Sequence, residues 1–275
     1  MAIYPHVSNK NDMRAGLSRQ QAQILSSLSG GGQEVFTLND LKQFNLTKAA
    51  AKMFVSRLVK KKWLIRVARG RYLIAPLSAG RKGEWTVHEF VLATSVISPS
   101  YVSYWNALNY YGWTEQIPRV ITVVSLKRHE TTDVQMVRVR FVTVSKKKFF
   151  GQVEVDFGGA KAFVASKEKA IVDCLDRPDL CGGVAEIVKA LDAAKNELDF
   201  GRIVEYAGGV GNSAVLRRLG YLCEKLGIAL EIEPSFKGYV WLDPSRKKTA
   251  LVHNSRWGLK INVTEKALFE WRGPA

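Results

Sequence analysis

Acidic residues are nearly missing from the first third of this chain. Residues 1–82 hold three Asp/Glu against fifteen Lys/Arg, which leaves +12 of the formal +16; residues 83–275 hold twenty-two against twenty-six and are close to balanced. Cysteine is scarce too. Cys174, Cys181 and Cys223 are an odd number with no C-x-x-C spacing, a usage consistent with a reducing compartment. The opening MAIYPHVSNK lacks a charged segment followed by an apolar one, so no secretory signal is expected. Long apolar runs are also absent. The uncharged stretch 90–113 includes Thr94, Ser95, Ser98, Pro99, Ser100, Asn106 and Asn109, too polar for the roughly 20 consecutive apolar residues of a membrane helix. These absences point to a cytoplasmic protein with no membrane partner.

What is present suits a globular protein of two domains: 275 residues, 47% hydrophobic and 24% charged. The uneven charge suggests a basic binding module attached to a body with another task. Within the module, residues 17–29 place Leu17, Ile24, Leu25 and Leu28 at helical spacing behind Ser18 as N-cap, and Gly30, Gly31 and Gly32 stop the helix. A short helix over about 38–44 follows Thr37, with Leu38, Leu41 and Phe44 inward. Asn45 and Leu46 then make a brief turn before a third helix from Thr47 to about Lys62.

Stepping by 100° per residue along that third helix puts Ala51, Phe54, Val55, Leu58 and Val59 on one side. Ala49, Lys52, Met53, Ser56, Arg57 and Lys60 fall on the other, with Thr47 and Lys48 at the N-terminal end. This second face carries cations, hydroxyls and small groups, and no acid. A solvated helix usually mixes both signs to gain i,i+4 pairs. Trp63–Ala68 and Arg71–Ala75 then read as strands joined at Arg69-Gly70.

Three helices and a hairpin describe a winged helix-turn-helix. Leu64, Val67, Tyr72 and Ile74 would pack the hairpin, while Arg66, Arg69 and Arg71 reach towards phosphates or a narrow minor groove. On double-stranded DNA, Lys48, Lys52 and Ser56 would face base edges, with Thr47 at the helix entry, and Arg57 and Lys60 would hold backbone phosphate.

The expected fold class is therefore α+β: a winged helix-turn-helix followed by a larger mixed α+β domain. The expected division is a flexible tail over 1–16, the winged helix over 17–79, a linker over 80–84 and the α+β domain over 85–275. In the body, helices are expected over 85–96, 100–111, 166–175, 184–195, 199–207 and 213–226. Strands are expected at 120–125, 136–145, 152–157, 161–165, 228–232, 238–242 and 259–263.

The body offers three possible chemistries. GVGNSA (209–214) matches G-x-G-x-x-A, but Phe200, Ile203, Val204 and Ala207 repeat at helical spacing before it, where a dinucleotide site needs a strand. Asp156, Glu168, Asp173 and Asp176 could hold a divalent metal, yet the lysines beside Glu168 lack the E-x-K spacing of the common nuclease core. His6, His88, His129 and His253 have no recognisable Cys or Ser partner. No catalytic residue, metal ligand or cofactor is assigned, and the chain is expected not to be an enzyme.

SPSYVSYWNALNYYGWTEQIPR (98–119) and VASKEKAIVDCLDRPDLCGG (164–183), with YLCEKLGI (221–228), RWGLKINV (256–263) and the wing KKKWLIRVARGRYLIAP (60–76), resemble the AbiEi-type antitoxins of type IV toxin–antitoxin, or abortive infection, systems. The resemblance implies a winged helix that binds inverted repeats upstream of its own operon and represses transcription, in a phage-resistance setting. It implies a C-terminal domain that counters a nucleotidyltransferase-like toxin without a stable complex, the protein being a monomer or a DNA-induced dimer. The alternative is a nucleic-acid-processing enzyme with an acidic metal site in its C-terminal domain.

Overall fold

The computed structural model describes residues 2–3, 13–80, 82, 85, 87–247 and 249–273. The expected tail therefore lies largely outside the described residues, as do 81, 83 and 84 of the expected linker. The chain divides into two units. One comprises Met1–Ser98, Glu130–Val139 and Glu154–Ala162; the other comprises Pro99–His129, Arg140–Val153 and Phe163–Ala275.

In the first unit a two-residue strand, β1 (Ala2–Ile3), precedes helix α1 (Arg19–Gly30). Ser18 caps α1 reciprocally with Gln21: the Gln21 amide donates to the Ser18 hydroxyl and the Ser18 amide to the Gln21 side chain. Residues 13–16 are docked on the winged helix. Arg14 donates to the carbonyls of Ala75 and Pro76 and stacks on Trp63, whose indole N–H bonds the Ala15 carbonyl.

Strand β2 (Val35–Thr37) follows, then a 3₁₀ turn over Asp40–Phe44, helix α2 (Lys48–Lys60) and strands β3 (Leu64–Ala68) and β4 (Arg71–Ile74). The second helix expected from the sequence is this 3₁₀ turn. The Asp40 carboxylate holds its entry by accepting from both the amide and the hydroxyl of Thr37. The three strands pair antiparallel in the order β2-β4-β3, and β2, absent from the sequence reading, covers the outer edge of β4. Ile24, Leu25, Leu28, Phe36, Leu41, Phe54, Val55, Leu58 and Leu64 form the core beneath. Strand β5 (Val87–His88) pairs antiparallel with β1 and leads into α3 (Glu89–Ser95).

The remaining elements are β6 (Ser100–Val102), α4 (Trp105–Tyr110), β7 (Val120–Ser125), β8 (Thr132–Val134), β9 (Val137–Thr143), β10 (Gln152–Asp156), β11 (Lys161–Ala165), α5 (Lys167–Asp176), α6 (Val184–Ala194), α7 (Phe200–Val210), α8 (Ser213–Leu226), β12 (Val240–Trp241), β13 (Val252–Asn254), β14 (Leu259–Ile261) and α9 (Glu265–Leu268). Six strands run in the order β10-β11-β6-β7-β9-β8, and three more in the order β12-β14-β13.

Three expectations for the body fail, the first at residues 87–88, which are strand β5 and not the start of a helix. Residues 100–102 are strand, not helix: β6 pairs antiparallel with β7 and parallel with β11, and Tyr101 and Val102 are wholly buried. Tertiary pairing decides there over a helix-like spacing of aromatics. Residues 228–232 form no strand. Ile228, Leu230 and Ile232 do alternate inward, but the segment finds no ladder partner among the described residues.

Candidate nucleic-acid interface

Helix α2 owes its start to Thr47, whose extended backbone lets the side chain accept from the Ala50 amide at 3.2 Å. Lys48, Ala49 and Ala50 carry it forward, and Arg57 and Lys60 sit in the last turn, where cations suit the negative end of the helix dipole. Ala51, Phe54, Val55 and Leu58 are buried. Lys48, Lys52, Met53, Ser56, Arg57 and Lys60 are exposed. Val59 departs from the expected apolar side and is 37% exposed. It sits at the helix end, beyond the reach of the core.

The wing presents its cations by turn geometry. A register shift between Arg66 and Ala68 gives β3 one extra residue, and Val67 takes the buried position. Gly70 closes the hairpin at φ +73°, a conformation that disfavours side chains. Arg66 and Arg69 are exposed on either side of the shift. Arg71 is placed differently. It is half-buried, its Nε donates to the Ser95 carbonyl at 2.9 Å, and burial lowers its pKa while Asp40 acts to raise it.

Between α2 and the wing lies a cleft of about 310 Å³ lined by Lys52, Val55, Ser56, Val59, Lys60, Arg66 and Tyr72. The structure thus gathers Lys52, Ser56, Lys60 and Arg66, while Lys48, Arg57 and Arg69 stand outside that lining. Sequence reading missed Val59 and Tyr72 as cleft walls. Tyr72 pairs with Arg66 across the hairpin only because of the register shift at Val67; the two-residue turn alone would set it opposite Val67. Among the described residues, Lys48, Lys52, Arg57, Lys60, Arg66 and Arg69 enter no ion pair, so their charge is available to a ligand.

The acidic residues of the possible metal site are separately engaged. Buried Asp173 pairs with buried Lys169 and accepts from Ser103 Oγ at 2.7 Å and Tyr101 OH at 3.2 Å. Burial raises the Asp173 pKa despite these partners. Asp176 is held by Lys148 and Asn212, Glu168 by Ser166, and Asp156 accepts from the Gly159 amide. Among the described residues no three His, Cys, Asp or Glu side chains form a metal-sized cluster. GVGNSA lies between helices α7 and α8, with Gly211 as the left-handed C-cap of α7, and follows no strand. Asn106 accepts from the Thr122 amide, and Asn109 donates to the Thr114 and Gln116 carbonyls, so both serve the body's architecture.

Helix, strand, turn, helix and hairpin in this order, with a cationic second helix beside the hairpin, define a winged helix-turn-helix. Residues 23–75 match the family model described as "Transcriptional regulator, AbiEi antitoxin". The fold as a whole is similar to the crystal structure of the RV2827C protein from Mycobacterium tuberculosis, with a TM-score of 0.57 at 14% identity over 96% of this chain and 98% of that one. No curated protein matches the chain in sequence. Among the described residues no helix is long and apolar enough to cross a membrane.

Proposed function

We propose that the chain is a DNA-binding antitoxin that represses its own operon. Its winged helix reads inverted-repeat operator DNA, and its larger domain counters a nucleotidyltransferase-like toxin without a lasting complex. The observation that carries the DNA reading is the exposed face of α2: four cations and a hydroxyl with no carboxylate and no internal ion pair, continued by Arg66 across the cleft. Such a face has no acid to repel a phosphate backbone and leaves every charge free to displace condensed counterions.

On this reading the N-terminal half of α2 enters the major groove. Lys48, Lys52 and Ser56 face base edges, Thr47, Arg57 and Lys60 grip phosphate, and Arg66 and Arg69 follow the backbone beside the wing. Arg71, tethered to Ser95, acts by holding the wing's second strand in place. The family match over 23–75 supports the regulator reading, and the exclusion of a strand-borne glycine fingerprint removes one enzymatic alternative.

The test is binding of the full chain to the DNA upstream of its gene, against a scrambled duplex, across a salt series. Specific binding that weakens steeply with salt supports the repressor. Equal binding to both duplexes defeats it. Co-expression with a nucleotidyltransferase encoded alongside tests the antitoxin half: growth unrelieved by this chain would remove it.

A further inference from the structure

The winged-helix unit holds a second concavity of different chemistry. It has a volume of about 270 Å³, and none of its lining residues is shared with the cleft beside α2. Its floor is a stripe of α1. Ala22, Leu25, Ser26 and Ser29 recur at i, i+3, i+4 and i+7, and three of the four are Ala or Ser, so the helix surface is low there. Trp63, Ile74 and Leu77 wall it with apolar surface. The Trp63 indole is fixed, stacked under the Arg14 guanidinium at 3.5 Å and tied through its N–H to the Ala15 carbonyl.

At the rim stands Glu34, one of three acids in the first 82 residues. Its carboxylate accepts from the Lys161 amide at 3.2 Å, which orients it. An apolar trough with two hydroxyls and one anchored carboxylate is the wrong chemistry for DNA and the right one for a small organic cation.

We propose that this trough binds a small aromatic amine. Its ring would lie on the Ala22–Ser26–Ser29 floor against Trp63, and its ammonium group would pair with Glu34. The volume lies near the lower end of small-molecule sites, about 300–1,000 Å³, and suits a fused bicyclic ring with a short arm. A protein partner would need a far larger face, about 800 Å² per side. A primary amine with a pKa near that of lysine, about 10.4, is protonated at neutral pH.

Three probes test the assignment on the full chain without DNA, by ligand-observed NMR at physiological ionic strength: tryptamine, indole and indole-3-acetate. The expected order of affinity is tryptamine, then indole, then indole-3-acetate, with tryptamine several-fold tighter than indole. The chain's net charge of +16 would by itself favour the anion, so preference for the cation reports a local carboxylate. Ser26→Leu, at an exposed helical position where leucine favours the fold, fills the trough and abolishes tryptamine binding. Glu34→Gln lowers tryptamine to the level of indole. Absence of binding at millimolar tryptamine, preference for the anion, or tryptamine binding that survives Ser26→Leu would each overturn the proposal. Because no DNA is present, the result is independent of the operator reading.

Discussion

Lys52 and Arg69 carry the same charge but have different expected roles, because one lies on a helix facing the cleft and the other on a hairpin turn. On the proposed docking, Lys52→Ala removes a group that meets a base edge, so specific binding should weaken by about 1–3 kcal/mol, with a smaller loss on scrambled DNA. On the proposed docking, Arg69→Ala removes a phosphate contact. It should weaken all duplexes alike and lower the slope of log K against log salt by about 1. Competitive titrations at several salt concentrations separate the two, and a Lys52→Ala protein with unchanged operator preference would sink the proposed orientation of α2. Thr47→Ala should cost about 1 kcal/mol of stability through loss of the cap on α2, read as a lower urea midpoint at unchanged m-value.

At the scale of elements, α1 and α2 were legible because each announces its start with a capping hydroxyl, Ser18 and Thr47, and repeats apolar residues at helical spacing. Val59 was not, since its place depends on where the core ends. The tether of Arg71 was equally hidden, because its acceptor lies on Ser95, 24 residues away in a separate helix. Strand β2 is three residues long, too short for alternation to show, and exists because β4 offers it an edge. Strand β6 hid inside a helix-like aromatic pattern, and only its neighbours β7 and β11 make it a strand.

Helix α5 offers a test of the body's interior. Lys169 is wholly buried against Asp173, so Lys169→Met leaves an uncompensated carboxylate and should cost about 3–5 kcal/mol. The double substitution Lys169→Met with Asp173→Leu should recover much of that loss in urea unfolding. A double variant no more stable than the single one would mean that Tyr101 and Ser103 depend on the Asp173 acceptor.

Across the whole molecule, the +12 borne by residues 1–82 makes association with DNA a matter of counterion release as much as of fit. On the proposed docking, Arg57, Lys60, Arg66 and Arg69 are four cationic phosphate contacts and give an expected slope of log K against log salt of about −3 to −4 per bound chain. An operator with both halves of an inverted repeat should double that slope relative to a half-site, if two chains bind. A slope unchanged between half-site and full repeat, measured by anisotropy, would mean that a single chain occupies the operator.

The exposed face of α2 and its buried face share no residue. Lys48, Lys52 and Ser56 are exposed, and Ala51, Phe54, Val55 and Leu58 are buried, with Val55 alone of these four also lining the cleft. Inheritance can therefore edit one without disturbing the other. A duplicated copy of this gene could drift to a new operator through a few surface codons while its scaffold stayed intact. On the proposed repressor reading, two such operons in one genome would stop silencing each other long before either protein lost its fold.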